Sequence, residues 1–387
     1  MKGGEEMDFE FSENIRLMRD TVHRFVKNDL EPISQQVEEE EKIPEKVVQK
    51  MRELGFFGLS IPEDYGGMGL NTLGECVLNE EFGRVNSCFR SRFGTNNGIG
   101  SQGILIDGTL EQKENYLPRI ASGEWTAAFA LTEPNAGSDA ANIQTKAVKK
   151  GDVYLLNGLK HFITNGDIAD VVTVMAVTDK EKGPRGVTAF IVEKTFPGFS
   201  VGKVDRKMGV HGNNTSELVF EDCQVPAANI IGGLEGKGFV TAMKVLEKGR
   251  ITIAAVCVGT AQYVLDLSIA HSKQRIQFGK PISANQAIQW LLADMAISIY
   301  AGRQMVYHTA WSRDQKQRVT QQAAICKVYC TEMVNRAADS AMQIHGGMGY
   351  MKESPIERVY RDVRLTRIFE GTSEVQRMVI ARELLKD

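Results

Sequence analysis

The stretch Arg367-Ile368-Phe369-Glu370-Gly371-Thr372-Ser373-Glu374 concentrates residues suited to chemistry. One carboxylate, Glu370, follows two apolar residues and precedes a glycine and two hydroxyl residues. Burial beside Ile368 and Phe369 would disfavour its charged form and lift its pKa from about 4.3 toward the working range of a general base. Gly371 lets the backbone pass close to a ligand, and Thr372 and Ser373 can donate hydrogen bonds to it. The same residues also read as the end of one helix and the cap of the next, since Thr and Ser before Glu374-Val375-Gln376 resemble an N-cap. Both readings stay open on these residues alone.

A second candidate is Leu131-Thr132-Glu133-Pro134-Asn135-Ala136-Gly137-Ser138-Asp139. Its Pro, Asn and Gly make a tight loop whose hydroxyls and backbone N–H groups can hold a polar ring edge or a phosphate, or simply turn the chain. There is no Gly-x-Gly-x-x-Gly after a strand and no Walker sequence, so a nicotinamide-binding or nucleotide-triphosphate fold is unsupported. The six cysteines (Cys76, Cys88, Cys223, Cys257, Cys326, Cys330) have neither metal-ligand spacing nor a disulfide framework, and no metal site is expected. Cys326 and Cys330, one helical turn apart, read as core thiols of a reduced, cytoplasmic protein.

These residues need elements to position them. From about residue 8 to 120 apolar residues recur with helical spacing, as at Ile15, Met18, Val22 and Phe25, then Val47, Val48, Met51 and Leu54. Glu38 to Glu41 reads as a solvated helix end. Further helical stretches are expected over 72–81 and around 90–106. From about Glu124 the period changes. Val153–Gly158, Val171–Val177, Val187–Val192 and Leu218–Phe220 are short β-branched runs punctuated by Gly, Pro, Asn and Asp, predicting a compact antiparallel sheet or barrel. Helical periodicity returns from Gly236, in long segments with short connections that predict a helix bundle. The predicted architecture is mainly α with a central β domain: 1–123 helical, 124–232 β, 233–387 helical.

A chain of 387 residues exceeds one compact core. Its net charge of −3 gives no electrostatic case for nucleic acid or an anionic membrane. No apolar run in the sequence approaches the roughly 20 residues of a membrane span, and Met1-Lys2-Gly3-Gly4-Glu5-Glu6 is unlike a signal peptide.

Six motifs in order give the chain a resemblance to the acyl-CoA dehydrogenases. They are Thr132-Glu133-Pro134 with Gly137-Ser138-Asp139, Ile163-Thr164-Asn165-Gly166, Phe220 to Pro226, Arg275 to Pro281, Gln343 to Tyr350, and Glu370-Gly371-Thr372. The resemblance implies an N-terminal helical domain, a middle β-barrel and a C-terminal four-helix bundle. It implies FAD held non-covalently, removal of two hydrogens from the α and β carbons of an acyl-CoA thioester, and electrons leaving to an electron-transfer flavoprotein. A homotetramer built as a dimer of dimers is also implied. Carried over residue by residue, Phe129, Leu131, Thr132, Gly137, Ser138, Phe162, Ile163, Thr164 and Thr372 face the flavin. Phe162 stands where the family commonly has Trp. Arg275, Phe278, Gln343, Gly346 and Gly347 reach the FAD of a neighbouring subunit, Arg275 as a fork of donors on the diphosphate. His345 reads as structural, at a helix end stopped by glycine.

In the family the base is the residue matching Glu370. The enolate is stabilised by a ribityl hydroxyl and the base's own N–H, and hydride passes to flavin N5. Some relatives carry the base instead at the position of Gly249, which cannot take a proton. Glu247 lies close in sequence, but roughly 3.6 residues per turn points it about 160° away from 249. Glu247 and Arg250 are assigned to the CoA portion, with Ser138 and Gly371 also at the substrate. The expected substrate is a fatty acyl-CoA. Arg90, in a Ser-x-x-Arg-Ser context similar to glutaryl-CoA dehydrogenases, marks the alternative of a dicarboxylic acyl-CoA clamped by its guanidinium. It could instead face outward or pair with Glu80 or Glu81. An oxygen-using flavoprotein of the same fold is a further alternative.

Overall fold

The computed structural model describes residues 10–386. Met1 to Glu6, whose composition is unlike a signal peptide, lie outside the described residues. Seven helices come first: α1 (Glu13–Phe25), α2 (Ser34–Glu40), α3 (Glu45–Glu53), α4 (Thr72–Phe82), α5 (Ser87–Asn97), α6 (Gln102–Asp107) and α7 (Leu110–Ser122). Phe56 and Phe82 pack edge to face at 5.1 Å and Phe82 meets Phe93 at 4.7 Å, so aromatic contacts weld this unit. The single stretch expected around 90–106 is two helices. Gly98, with φ −115° and ψ −119°, leaves helical geometry and ends α5. Glu38, expected in solvent, is buried and accepts from Arg361 Nη2 at 2.6 Å and meets His211 Nδ1 at 2.9 Å. Both partners meet Oε1 and compensate the charge, while Oε2 is buried without a hydrogen-bond partner.

The middle of the chain forms a seven-stranded curled sheet from β1 (Ala127–Ala130), β2 (Lys146–Lys150), β3 (Val153–Thr164), β4 (Val171–Val177), β5 (Val187–Glu193), β6 (Phe199–Val204) and β7 (Thr215–Pro226). The sheet is mixed rather than wholly antiparallel. β1 runs parallel to β4, because the β2–β3 hairpin intervenes and returns the chain in the original direction. In β3 the register against β7 slips between Lys160 and Ile163, a bulge whose extra residue is Phe162 at φ 58°. A bulge re-aims a side chain. Phe162 is thereby turned outward and stacks on His161 at 3.9 Å.

The remainder is helical: α8 (Gly238–Gln274), α9 (Gln286–Asp314), α10 (Thr320–His345), α11 (Pro355–Arg364) and α12 (Ser373–Leu384). A short hairpin, β8 (Ile276–Gln277) with β9 (Lys280–Pro281), joins α8 to α9. Helices α8, α9 and α10 pack mutually, α12 lies on α10, and α4 of the first unit lies on α8. Helix α8 is long and apolar enough to cross a membrane by length and composition, which the sequence reading did not register, but its apolar stretch is mostly buried within the fold. Cys326 and Cys330 are buried free thiols of this core.

One buried ion pair fixes the loop at 131–138. Lys160 Nζ donates to Glu133 Oε1 at 2.7 Å and to the Leu131 carbonyl at 3.1 Å. The same Oε1 accepts from Thr145 Oγ1 at 2.6 Å, and Oε2 accepts from the Gln144 N–H. Burial lowers the Lys160 pKa to about 8, against the pull of Glu133. Burial pushes Glu133 the other way, yet the Lys160 charge and these hydrogen bonds hold it below the usual carboxylate range. Lys160→Met would strand a buried carboxylate at a cost of about 3–5 kcal/mol. Urea unfolding should show that loss, and Lys160→Met with Glu133→Gln should recover part of it.

Candidate active site

A cavity of about 1570 Å³ opens between the sheet, α5, α8 and the segment 361–382. That exceeds the ~300–1,000 Å³ of an ordinary single-ligand pocket.

Glu370 projects into it from a left-handed turn, with φ 53° at Glu370 and 88° at Gly371. A non-glycine residue there is uncommon and requires support from its surroundings. The support is visible. Lys327 Nζ donates to the Gly371 carbonyl at 2.8 Å, and Gln376 Nε2 donates to the Glu370 and Gly371 carbonyls at 3.3 and 3.4 Å. Thr372 then caps α12, its hydroxyl accepting from the Val375 N–H at 3.3 Å. The cap and the site are thus the same residues.

The Glu370 carboxylate lies over Gly249 of α8. A Cβ placed on Gly249 would sit 2.2 Å from Oε2. Position 249 and the Glu370 carboxylate, far apart in sequence, therefore meet at one point in space. Oε2 is buried without a hydrogen-bond partner, and the carboxylate forms no salt bridge among the described residues. Burial raises its pKa above the ordinary value, while the charges of Arg90, Lys327 and Arg250 draw it back. Ile368 contributes less to that burial than expected, being 51% exposed, although it and Phe369 line the cavity. Gly249 of α8 lies directly against the carboxylate.

The sheet supplies a second wall. Phe129 and Leu131 are buried at its foot, with Thr132, Gly137, Ser138, Phe162, Ile163 and Thr164 along the cavity. Asn165, at φ 59°, ties this wall to α5 by donating to the Ser91 carbonyl at 3.1 Å and to Thr95 Oγ1 at 2.8 Å.

Helix α5 carries Arg90, which faces the cavity and pairs with neither Glu80 nor Glu81. Glu80 is taken by Arg303 and Tyr307, and Glu81 by His23. Arg90 Nε donates to the buried Asn79 Oδ1 at 2.9 Å, and its guanidinium lies across Gly94, where a Cβ would be 3.0 Å from Nη1. On α8, Arg250 is buried with its Nε unpartnered, and Glu247 accepts from Arg313 at 3.2 Å and Thr320 at 2.6 Å. All line the same cavity, as do Gly371 and Thr372.

Five expected cofactor residues lie elsewhere. Arg275, Phe278, Gln343, Gly346 and Gly347 are exposed and do not line this cavity, Phe278 being 98% exposed. His345 Nδ1 donates to the Ala341 carbonyl at 2.8 Å, and the ring stacks on His271 at 4.3 Å. Sequence reasoning missed Lys327 and Asn79. Lys327 sits at helical spacing among Ala323, Ala324, Cys330 and Val334, so a lysine on an apolar stripe was the available signal.

Family models match nearly the whole chain: the acyl-CoA dehydrogenase N-terminal domain over residues 12–124, the middle domain over 128–223 and the C-terminal domain over 236–385. The chain belongs to the acyl-CoA dehydrogenase family and is an oxidoreductase of that type. An acryloyl-CoA reductase (NADH) of Anaerotignum propionicum is 44% identical, covering 98% of this chain and 96% of its own. A chain of the electron transferring flavoprotein structure from Acidaminococcus fermentans, studied for flavin-based electron bifurcation, is 43% identical with a TM-score of 0.96, covering 98% and 100%. Butyryl-CoA dehydrogenase from Megasphaera elsdenii is 40% identical with a TM-score of 0.95, covering 98% and 100%. A glutaryl-coenzyme A dehydrogenase with glutaryl-CoA is 36% identical with a TM-score of 0.93, covering 98% and 97%.

The space at Gly249 is directly testable. Gly249→Ala should push the Glu370 carboxylate aside and slow acyl-CoA oxidation by at least about tenfold, a barrier change of ~1.4 kcal/mol. Flavin content, read from the visible spectrum, should stay at the parent level.

Proposed function

We propose that Glu370 abstracts the α-proton of a fatty acyl-CoA, which is oxidised to the 2-enoyl-CoA. The observation that carries this reading is the half-buried Glu370 carboxylate, its Oε2 enclosed and unpaired over Gly249 in a cavity of about 1570 Å³. A thioester α-proton is weakly acidic, so a raised pKa makes the carboxylate a better match for it. Proton removal also needs donors at the thioester oxygen. The turn at Glu370 and Gly371 would present the Glu370 N–H for that purpose. Arg250 and Glu247, with Ser138 and Gly371, would hold the CoA portion.

The cavity wall fits FAD. Leu131, Phe162 and Ile163 would meet an apolar ring face, and Thr132, Ser138 and Thr164 its polar edge, with Phe129, Gly137 and Thr372 completing the cradle. Bound there, FAD supplies a hydride acceptor for the β carbon. Arg275, Phe278, Gln343, Gly346 and Gly347 would serve the FAD of a neighbouring copy in a homotetramer built as a dimer of dimers. The near-complete exposure of Phe278 supports that role. Likeness to a chain of the Acidaminococcus fermentans electron transferring flavoprotein structure supports an electron-transfer flavoprotein as acceptor. Six buried free thiols suit the cytoplasm.

A second reading of the substrate is favoured by Arg90, whose inward guanidinium could clamp a distal carboxylate and would penalise an alkyl tail by staying unpaired. Likeness to the butyryl-CoA dehydrogenase supports the fatty acyl reading. Anaerobic reduction by butyryl-CoA, octanoyl-CoA and glutaryl-CoA, followed by flavin bleaching, separates them. Bleaching by the alkyl thioesters is expected, bleaching by glutaryl-CoA alone would transfer the assignment, and peroxide formation with oxygen as sole acceptor would mark an oxidase. Glu370→Gln should keep FAD and lose about 10²-fold or more of the bleaching rate. A variant with near-normal rate would remove Glu370 from the role.

A further inference from the structure

Lys327 has no part in the reaction as described, yet it is costly. It lies in the N-terminal third of α10 with its side chain wholly buried, and an ion removed from water costs several kcal/mol unless it is compensated. An apolar residue of similar length would fill the same space more cheaply. Its ammonium has three donors, but among the described residues its hydrogen bond is the single one to the Gly371 carbonyl, at 2.8 Å. No carboxylate lies within salt-bridge distance of it there.

The charged and titratable groups around it come from each neighbouring element. Cys257 and Arg250 face it from α8, Glu370 from the turn before α12, and Glu332 from α10 itself. Cys257 is pushed up to about 12 by burial and stays a neutral thiol. Arg250 repels the ammonium, and Glu332 is engaged by Arg367 at 3.0 Å. Glu370 is therefore the anion that the ammonium faces without a competing ion pair. Burial lowers the Lys327 pKa to about 8, which still leaves it charged at neutral pH.

The segment it holds is the one that needs holding. Glu370 and Gly371 occupy consecutive left-handed conformations, at φ 53° and 88°. The carboxylate in the gap over Gly249 comes from that turn. Gln376 braces the same two carbonyls from α12, at the longer distances of 3.3 and 3.4 Å.

We propose that Lys327 is a positioning residue for the base: its ammonium anchors the Glu370-Gly371 turn through the Gly371 carbonyl and sets a positive charge beside the Glu370 carboxylate. This rests on Glu370 being the base. Two effects are separable, orientation through the hydrogen bond and ionisation through the charge.

The test uses the FAD-loaded full chain, with flavin reduction by butyryl-CoA measured anaerobically across pH for the parent, Lys327→Met, Lys327→Gln, Lys327→Arg and Glu370→Gln. Removing a positive charge raises the pKa of a neighbouring carboxylate. Lys327→Met is expected to bind FAD and butyryl-CoA as the parent does and to reduce flavin at least about tenfold more slowly. Its acid limb should move to higher pH by about half a unit or more. Lys327→Gln keeps a donor but not the charge, so its acid limb should move likewise with a smaller loss of rate. Lys327→Arg keeps the charge, so its acid limb should stay at the parent position. An acid limb that stays put in Lys327→Gln would overturn the inference, and this variant decides the matter if Lys327→Met does not fold. A parent bleached normally, with Glu370→Gln inert but Lys327→Met and Lys327→Gln indistinguishable from the parent, would sink the Lys327 assignment alone. Glu370→Gln bleaching at the parent rate would sink the base itself.

Discussion

A half-buried carboxylate kept ionisable, with its enclosed oxygen unpartnered, is the constraint on which the site depends. Water or a salt bridge would satisfy Glu370 and lower its basicity, whereas complete isolation would leave it protonated. The fold settles between these limits. Burial over α8 raises its pKa, and Arg90, Lys327 and Arg250 draw it down from a distance that avoids pairing. Each cation comes from a different place in the chain, on α5, α10 and α8. The packing of α4 and α5 on α8, and of α12 on α10, therefore positions charge as well as burying apolar surface.

The same economy governs the opposite wall. Phe162 reaches the cavity because β3 slips its register at a bulge, and the loop at 131–138 is pinned by the Lys160–Glu133 pair as well as by the packing of Leu131 and Ala136. Both devices place polar or strained groups where an ordinary strand would not. Asn165 then fastens that wall to the helix that carries Arg90. Its hydrogen bonds to the Ser91 carbonyl and the Thr95 hydroxyl tie sheet to helix.

Periodicity made the helices and the β region legible because period and composition change together near Glu124 and again near Gly236. The motifs singled out residues on the turn at Glu370, on the sheet wall and on α8, and these line one cavity. What escaped was non-local. Glu38 reads as solvent-facing in its own acidic run, since nothing nearby announces Arg361 and His211. The mixed sheet escaped because strand direction depends on the order of connections, not on strand composition. Gly249 was legible as unable to act as a base, but the reason a glycine stands there, space for a carboxylate from 121 residues further along, needs three dimensions. Lys327 was hidden by its apolar neighbours.

The most direct measurement of the central claim is exchange of the butyryl-CoA α-hydrogen with solvent in D₂O, read by mass spectrometry, for the parent and Glu370→Gln. Exchange reports proton removal without requiring net oxidation of the thioester. The account predicts deuterium entering the α position with the parent protein and none above the uncatalysed background with Glu370→Gln. Exchange at the parent rate in Glu370→Gln would mean that another group removes the proton, and the arrangement over Gly249 would then need a different explanation.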